Sequence, residues 1–342
     1  MRTLAAAYVA EHSIEVHEVA PSRPGPGEVR IAVAYVGLCG TDLHVYHGAM
    51  DARVSRPAVL GHEMSGLIAE LGDGVDGWAV GDAVTVMPLA WDGTCAACLA
   101  GHSHICQNLT FIGIDSPGAL QTSWTVPADT LVALPRGLRL DHAALAEPVA
   151  VAVHDVRRSG LARGERAVVI GGGPIGTLIA TTARSVGGHV IVVEPDANRR
   201  AAVASLGFEV LDPSKPDHEE RIAEWTDGAG ADVVFEVSGS AAAVLGSTRF
   251  VRVRGRLVIV AIHPEPRPID LYRVFWRELT LIGARVYERA DFERAVEMLA
   301  SGTVPADELI TSIRPLAQAS DAFDALGRGG SMKILVDCGA DS

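Results

Sequence analysis

Cys39, Thr41, Asp42 and His44 stand within six residues, in the run Gly37-Leu38-Cys39-Gly40-Thr41-Asp42-Leu43-His44. Farther on, Gly61-His62-Glu63 adds an imidazole and a carboxylate. Thiolate and imidazole are good zinc ligands, and a catalytic zinc takes about three protein ligands and keeps one position open. Taken singly, Cys39 reads as a buried thiol and His62 as an ordinary core or surface histidine. Taken together, with Glu63 adjacent, they read as a candidate metal site. Asp42 is suited to orient a ligating histidine by fixing its tautomer. Glu147 precedes Pro148, and proline is tolerated in a first helical turn. Its carboxylate is therefore either a partner of a helix dipole or a member of the metal site.

A second cluster has the spacing Asp92-x2-Cys95-x2-Cys98-x7-Cys106. Three thiolates and a carboxylate can close a tetrahedral site with no open position, which suits a structural zinc. Two other readings stay open. Cys95 and Cys98 could form a redox pair, or the knuckle could have lost its metal, because carboxylate is a harder ligand than thiolate. His102 and His104 read as substitute ligands or as surface residues.

The third stretch would hold phosphate. Ala167 to Ile170 is an apolar strand, and Gly171, Gly173 and Gly176 follow in G-x-G-x-x-G spacing. Residues 175–186 have helical composition, with Pro174 and Ile175 at the start, and the strand 190–193 ends in Glu194. The first glycine permits a tight turn, the second lets backbone approach a pyrophosphate, and the third packs helix on strand. The helix N-terminus offers free N–H groups to phosphate. Glu194 lies 23 residues after Gly171, near the usual spacing for an acid that bonds ribose hydroxyls. A carboxylate there repels a 2′-phosphate, so NAD is expected over NADP. Arg199 and Arg200 pull the other way, and Arg199 is a candidate cofactor contact. The alternative is a βαβ unit without a ligand.

The elements that must position these residues follow from pattern. Period-two and apolar runs predict strands over 14–19, 29–36, 83–86, 111–114, 122–126 and 130–134. A helix is expected over 143–156. Strand–helix alternation from 167 to 282 predicts a doubly wound parallel sheet. Later segments predict helices over 290–300 and 319–326 and a terminal strand over 333–336. The expected organisation is a first catalytic part over 1–150, a dinucleotide domain over 151–285 and a second catalytic part over 286–342.

At 342 residues, with 48% hydrophobic and 21% charged residues, the chain can bury a sizeable core. A net charge of −13 argues against nonspecific nucleic-acid binding, which rests on phosphate neutralisation. Five cysteines, three of them within twelve residues, suggest metal ligation in a reducing compartment. No apolar stretch reaches the length of a membrane helix, so a cytoplasmic enzyme is expected, with a small-molecule substrate.

Across nearly its whole length the chain resembles the zinc-containing medium-chain dehydrogenases/reductases, and most of all their sorbitol, butanediol and threonine dehydrogenase branch. The resemblance rests on Gly37 to His44, Gly61-His62-Glu63, the knuckle Asp92 to Cys106, Glu147-Pro148 and Gly171-Gly172-Gly173-Pro174-Ile175-Gly176. It implies an α/β chain with a GroES-like, mostly β catalytic domain split around an inserted Rossmann domain. It implies a catalytic zinc on Cys39 and His62, with Glu63 or Glu147 as third ligand, and NAD as cofactor. Thr41 matches the hydroxyl that receives the substrate proton, and His44 the outer end of that relay. The sorbitol enzymes carry an Arg-Tyr pair after the last cofactor-domain strand, whereas here the order is Ala284-Arg285-Val286-Tyr287. On a strand that displacement turns the arginine to the other face. The expected reaction is oxidation of a secondary alcohol in a diol, polyol or sugar-derived substrate. Threonine dehydrogenation and biosynthetic ketone reduction are the alternatives, and a nucleotide-binding protein without catalysis is the alternative of another class. Relatives of this kind form homodimers or homotetramers, so a homo-oligomer is expected.

Overall fold

In the computed structural model, which describes residues 3–339, the chain forms two compact units. One takes the residues up to Pro148 and those from Glu288 on, and the other is Val149–Tyr287.

The first unit contains β1 (Thr3–Ala10), β2 (Ser13–Val19), β3 (Glu28–Gly37), β4 (Ala58–Val59), β5 (Glu63–Leu71), β6 (Ala83–Val86), β7 (Leu89–Ala90), β8 (Thr110–Phe111), β9 (Ser123–Pro127) and β10 (Leu131–Ala133). The second contains β11 (Arg166–Ile170), β12 (His189–Val193), β13 (Glu209–Leu211), β14 (Ala231–Glu236), β15 (Val251–Ile259) and β16 (Thr280–Gly283). The chain then returns to the first unit with β17 (Ile310–Pro315) and β18 (Lys333–Asp337).

The main sheet of the first unit has the order β10-β6-β5-β3-β18-β17, with β9 also paired to β3. Along β3, Val29, Ile31 and Val33 are buried, and beyond a register shift between Val33 and Tyr35 the buried residues are Val36 and Gly37. An extra residue on one strand reverses which side chains face the core. It brings Gly37 opposite Glu63 on β5 and Leu335 on β18. Under this sheet lies one core that includes Ile31, Val36, Leu60, Met64, Leu120, Phe323 and Ile334. Its members come from both ends of the sequence, because the last strand pairs with the third.

The sheet of the second unit is parallel throughout, in the order β13-β12-β11-β14-β15-β16. β11 and β14 are buried on both faces, which explains the apolar runs 167–170 and 233–235 within them.

Several expectations are corrected in detail. The strand expected over 111–114 shrinks to Thr110–Phe111, paired with Leu89–Ala90. Gly113 has φ +92°, and a Cβ there would lie 2.3 Å from the Gly61 carbonyl oxygen, so the chain turns tightly against the His62 loop. The helix expected over 143–156 is two helices, Leu140–Ala143 and Ala146–Ser159. Within the strand–helix alternation, the apolar run 257–261 predicts a strand of its own, but it forms only the end of the longer β15, which stops at Ile259. The helix Gly40–Tyr46 and the strand β17 were not read from sequence.

Candidate metal centre and cofactor site

Cys39 is the N-cap of the helix Gly40–Tyr46, in extended backbone geometry. Asp42, three residues on, closes the turn: its Oδ2 accepts the Cys39 N–H at 2.9 Å. Its Oδ1 lies 3.5 Å from Nδ1 of His62, and both side chains are buried. That leaves the other ring nitrogen of His62 for a ligand. Donor atoms of Cys39, His62 and Glu63 all lie within 4.8 Å of one another. Burial disfavours the charged imidazole of His62, but the Asp42 carboxylate and the Cys39 thiol outweigh it and hold its pKa well above the ordinary histidine value. A pocket that favours positive charge and offers sulfur, nitrogen and oxygen donors fits zinc.

Lys333 is the residue that sequence reasoning missed. Its Nζ is buried and donates to Oε1 and Oε2 of Glu63 at 2.8 and 2.6 Å and to the Leu38 carbonyl oxygen at 3.2 Å. All three ammonium hydrogens are thereby used. Burial lowers its pKa, but Glu63 first, then Cys39 and Glu147, raise it above the ordinary lysine value. A signal did exist, since Lys333 is one of two lysines in the chain and opens the apolar run Ile334-Leu335-Val336. Gly37 makes room for the pair: a Cβ there would fall 2.2 Å from Oε2 of Glu63. Glu147 is buried as well, in the first turn of the helix Ala146–Ser159. Thr41 is half-buried and His44 exposed. They are three residues apart on one helix and so share a face.

Asp92, Cys95, Cys98 and Cys106 form the second cluster, again with donor atoms within 4.8 Å. The Cys95 N–H, the Asn108 amide and the Thr94 N–H all donate to Asp92 and hold its carboxyl below the usual range. The Cys98 backbone N–H lowers the pKa of the Cys95 thiol, whereas burial and then Cys95 push Cys98 up to about 11. Three thiols and a carboxylate this close together are suited to a shared cation, which would deprotonate a coordinating thiol. His102 is exposed. His104, expected at the surface, is buried with Nδ1 3.9 Å from Glu288, because the short 3-10 turn Ser103–Ile105 carries it inward. Neither histidine joins the cluster.

In the second unit Gly171 leaves β11 at φ +111°. A Cβ on Gly176 would lie 1.8 Å from the Gly171 carbonyl oxygen, so only glycine lets the helix Pro174–Ser185 approach this closely. Gly173 is its N-cap and supplies no side-chain hydrogen bond, with Pro174 at its first turn. Early N–H groups are thus left for phosphate. Glu194 is buried at the end of β12, where Oε2 accepts the Gly172 N–H at 2.6 Å and Oε1 the Asp196 N–H at 2.8 Å. The two arginines have different places. Arg200 is tied to Asp212 at 3.1 Å and to the Glu194 carbonyl oxygen. Arg199 lies beside the glycine loop, 3.7 Å from where a Gly173 Cβ would stand, and its Nε has no hydrogen bond. This cradle fits a dinucleotide.

Arg285 corrects another expectation. β16 ends at Gly283, and Val286 has φ +51°, so the alternation of a strand does not decide where Arg285 points.

Two family models match the chain: an alcohol dehydrogenase GroES-like domain over residues 25–136 and a zinc-binding dehydrogenase domain over residues 174–301. The chain is 52% identical to a 2-dehydro-3-deoxy-L-galactonate 5-dehydrogenase of Pseudoalteromonas atlantica, over 98% of this chain and 99% of that one. The chain belongs to the zinc-containing alcohol dehydrogenase superfamily. It is 33% identical to a sorbitol dehydrogenase of Halalkalibacterium halodurans, covering 94% of each chain. Its fold matches that of a Sinorhizobium meliloti protein, assigned as a zinc-binding dehydrogenase and solved bound to NADP. The TM-score is 0.93 and the identity 32%, over 98% of this chain and 99% of that one. The family's chemistry is that of this chain: hydride transfer between NAD(H) and a secondary alcohol or ketone of a polyol, diol or sugar-derived substrate. No helix among the described residues is long and apolar enough to cross a membrane.

Proposed function

We propose that this dehydrogenase oxidises a secondary hydroxyl of a deoxy sugar acid. The observation that carries this reading is the 52% identity, spanning both units, to an enzyme named for such a substrate. Activity with 2-dehydro-3-deoxy-L-galactonate, sorbitol, 2,3-butanediol and L-threonine, followed at the NADH absorbance, tests it. The sugar acid should give the highest kcat/KM, and a clear preference for threonine or sorbitol would overturn it.

Cys39 and His62 are assigned to the catalytic zinc. Glu63 is nearest to them, but both its oxygens already accept from Lys333, and zinc on the same carboxylate would face an ammonium. The third position therefore goes to Glu147, with Glu63 held as the partner of Lys333. Glu147→Gln should release the catalytic zinc, whereas Glu63→Gln should retain it; metal analysis giving the reverse would exchange the roles. Asp92, Cys95, Cys98 and Cys106 are assigned to a structural zinc.

Zinc held there would supply Lewis acidity toward the alcohol oxygen, and NAD in the cradle would supply the hydride acceptor. Thr41 would receive the hydroxyl proton while releasing its own outward, and His44, exposed on the same helix face, would take up the released proton and pass it to solvent. Gly171, Gly173, Pro174, Ile175 and Gly176 receive the pyrophosphate, Glu194 the adenosine ribose and Arg199 a phosphate oxygen. The free thiols of all five cysteines fit a cytoplasmic, reducing setting. Leu271, Tyr272, Phe275 and Trp276 are largely exposed, and Leu281 partly so, beside the open edge of β16. They are assigned to contact with a second copy of the chain, in a homodimer or homotetramer.

A further inference from the structure

A dinucleotide on an open parallel sheet crosses the C-terminal strand ends where the strand order reverses. Here that point lies between β11 and β14. The glycine loop follows β11, and Glu194 and Arg199 follow β12 on one side of it. The other half of the dinucleotide, with the nicotinamide, would therefore run over the ends of β14 and β15.

Glu236, the last residue of β14, is fully buried there. Its Oε1 accepts the Ser238 N–H at 3.0 Å, the Ser238 hydroxyl at 2.6 Å and the Gly239 N–H at 3.0 Å. Nε2 of His263 donates to its Oε2 at 3.1 Å. The Glu236 carbonyl oxygen also accepts the N–H groups of Val260 and Ala261, at 3.0 and 3.1 Å. One residue thus fastens the segment leaving β15 to the end of β14, by backbone and by side chain. Between the tied residues Ala261 and His263, Ile262 is 81% exposed. The loop after β14 also meets the glycine turn, since a Cβ on Gly171 would come within 3.1 Å of the Ser238 nitrogen.

A buried carboxylate with four donors is fixed in place, because losing one leaves its charge undersolvated. An aliphatic side chain held in solvent gains when an aromatic ring covers it. Holding it in advance lowers the ordering cost of binding. We propose that His263, acting through Glu236, is a positioning residue that presents Ile262 to the nicotinamide ring of the cofactor. This inference rests on the cofactor site alone and is independent of the substrate.

The test is calorimetric titration of the zinc-loaded full chain with NADH and with ADP-ribose, which lacks the nicotinamide. His263→Ala should weaken NADH about tenfold and leave ADP-ribose unchanged. His263→Gln, which keeps an N–H donor, should recover most of the loss. Ile262→Ser, a surface change that does not endanger folding, should weaken NADH several-fold and again spare ADP-ribose. Equal weakening of both ligands by His263→Ala and Ile262→Ser, or unaltered NADH binding in both variants, would overturn the assignment. A wild-type chain that binds neither ligand would overturn the cofactor site and the inference together.

Discussion

Lys333 and Glu63 are buried together, and removing one partner of such a pair leaves the other charge uncompensated. Lys333→Met is expected to cost about 3–5 kcal/mol of stability. The double variant Lys333→Met/Glu63→Gln should regain most of it, because no charge remains to be solvated. Urea unfolding of the four-member cycle measures this, and simple additivity of the two single costs would refute the pairing. On the proposed cofactor assignment, Glu194 would repel a 2′-phosphate, and Arg199 is the neighbouring cation whose Nε has no hydrogen bond. Glu194→Ala should raise the ratio of kcat/KM for NADP over NAD by roughly tenfold or more, the worth of one hydrogen bond to a charged group. An unchanged ratio would mean that another residue discriminates. Glu194 was legible from spacing alone. Lys333 was not, because a lysine at a strand start is ordinarily a solvated end, and only tertiary pairing places it inside.

The helix Gly40–Tyr46 carries Thr41 and His44 and is short enough to need tertiary support. Its last residue supplies that support. The Tyr46 hydroxyl donates to Oδ1 of Asp324 at 2.7 Å, and its ring lies 5.1 Å from that of Phe323, both on the helix Ala319–Gly327. Tyr46→Phe should cost about 1 kcal/mol. Burial first, and then the bond to Asp324, push the phenol up to about 12 from an ordinary 10. The folded chain therefore holds that proton more tightly than the unfolded chain does. The stabilisation is complete below pH 10 and is lost as pH rises through about 12. Chemical unfolding at stepped alkaline pH should show Tyr46→Phe lacking this part of the decline, and parallel curves for the two proteins would count against it. The helix itself escaped sequence reading because its seven residues are too few for a clear 3.6 period. β17 escaped because none of Ile-Thr-Ser-Ile-Arg-Pro is fully buried and its two isoleucines stand three residues apart, so the sequence lacks the period of two that marks a strand.

At the scale of the whole molecule, the chain has a net charge of −13 yet gathers Leu271, Tyr272, Phe275 and Trp276 on one exposed helix. Contiguous apolar surface of this kind marks an interaction face, and β16 beside it ends the sheet with unpaired backbone groups. Phe275→Glu combined with Trp276→Glu should lower the light-scattering mass to that of one subunit while leaving the circular dichroism spectrum unchanged. An unaltered mass would overturn the proposed contact between copies at this face.

Local chemistry was decided by the sequence alone. The glycine spacing, the Cys-x2-Cys knuckle and the acid after the second parallel strand depend on neighbours a few residues apart, so their geometry is written in their spacing. Tertiary structure decided what depends on distant partners. It brought a lysine near the C-terminus to Glu63, set Gly37 between two strands so that the pair has room, and gave the two adjacent arginines different places, Arg200 against Asp212 and Arg199 beside the glycine loop. It also joined His263 to Glu236 across two strand ends. Contacts between residues far apart in the chain leave no periodicity behind, and burial chooses among them only once the sheets have formed.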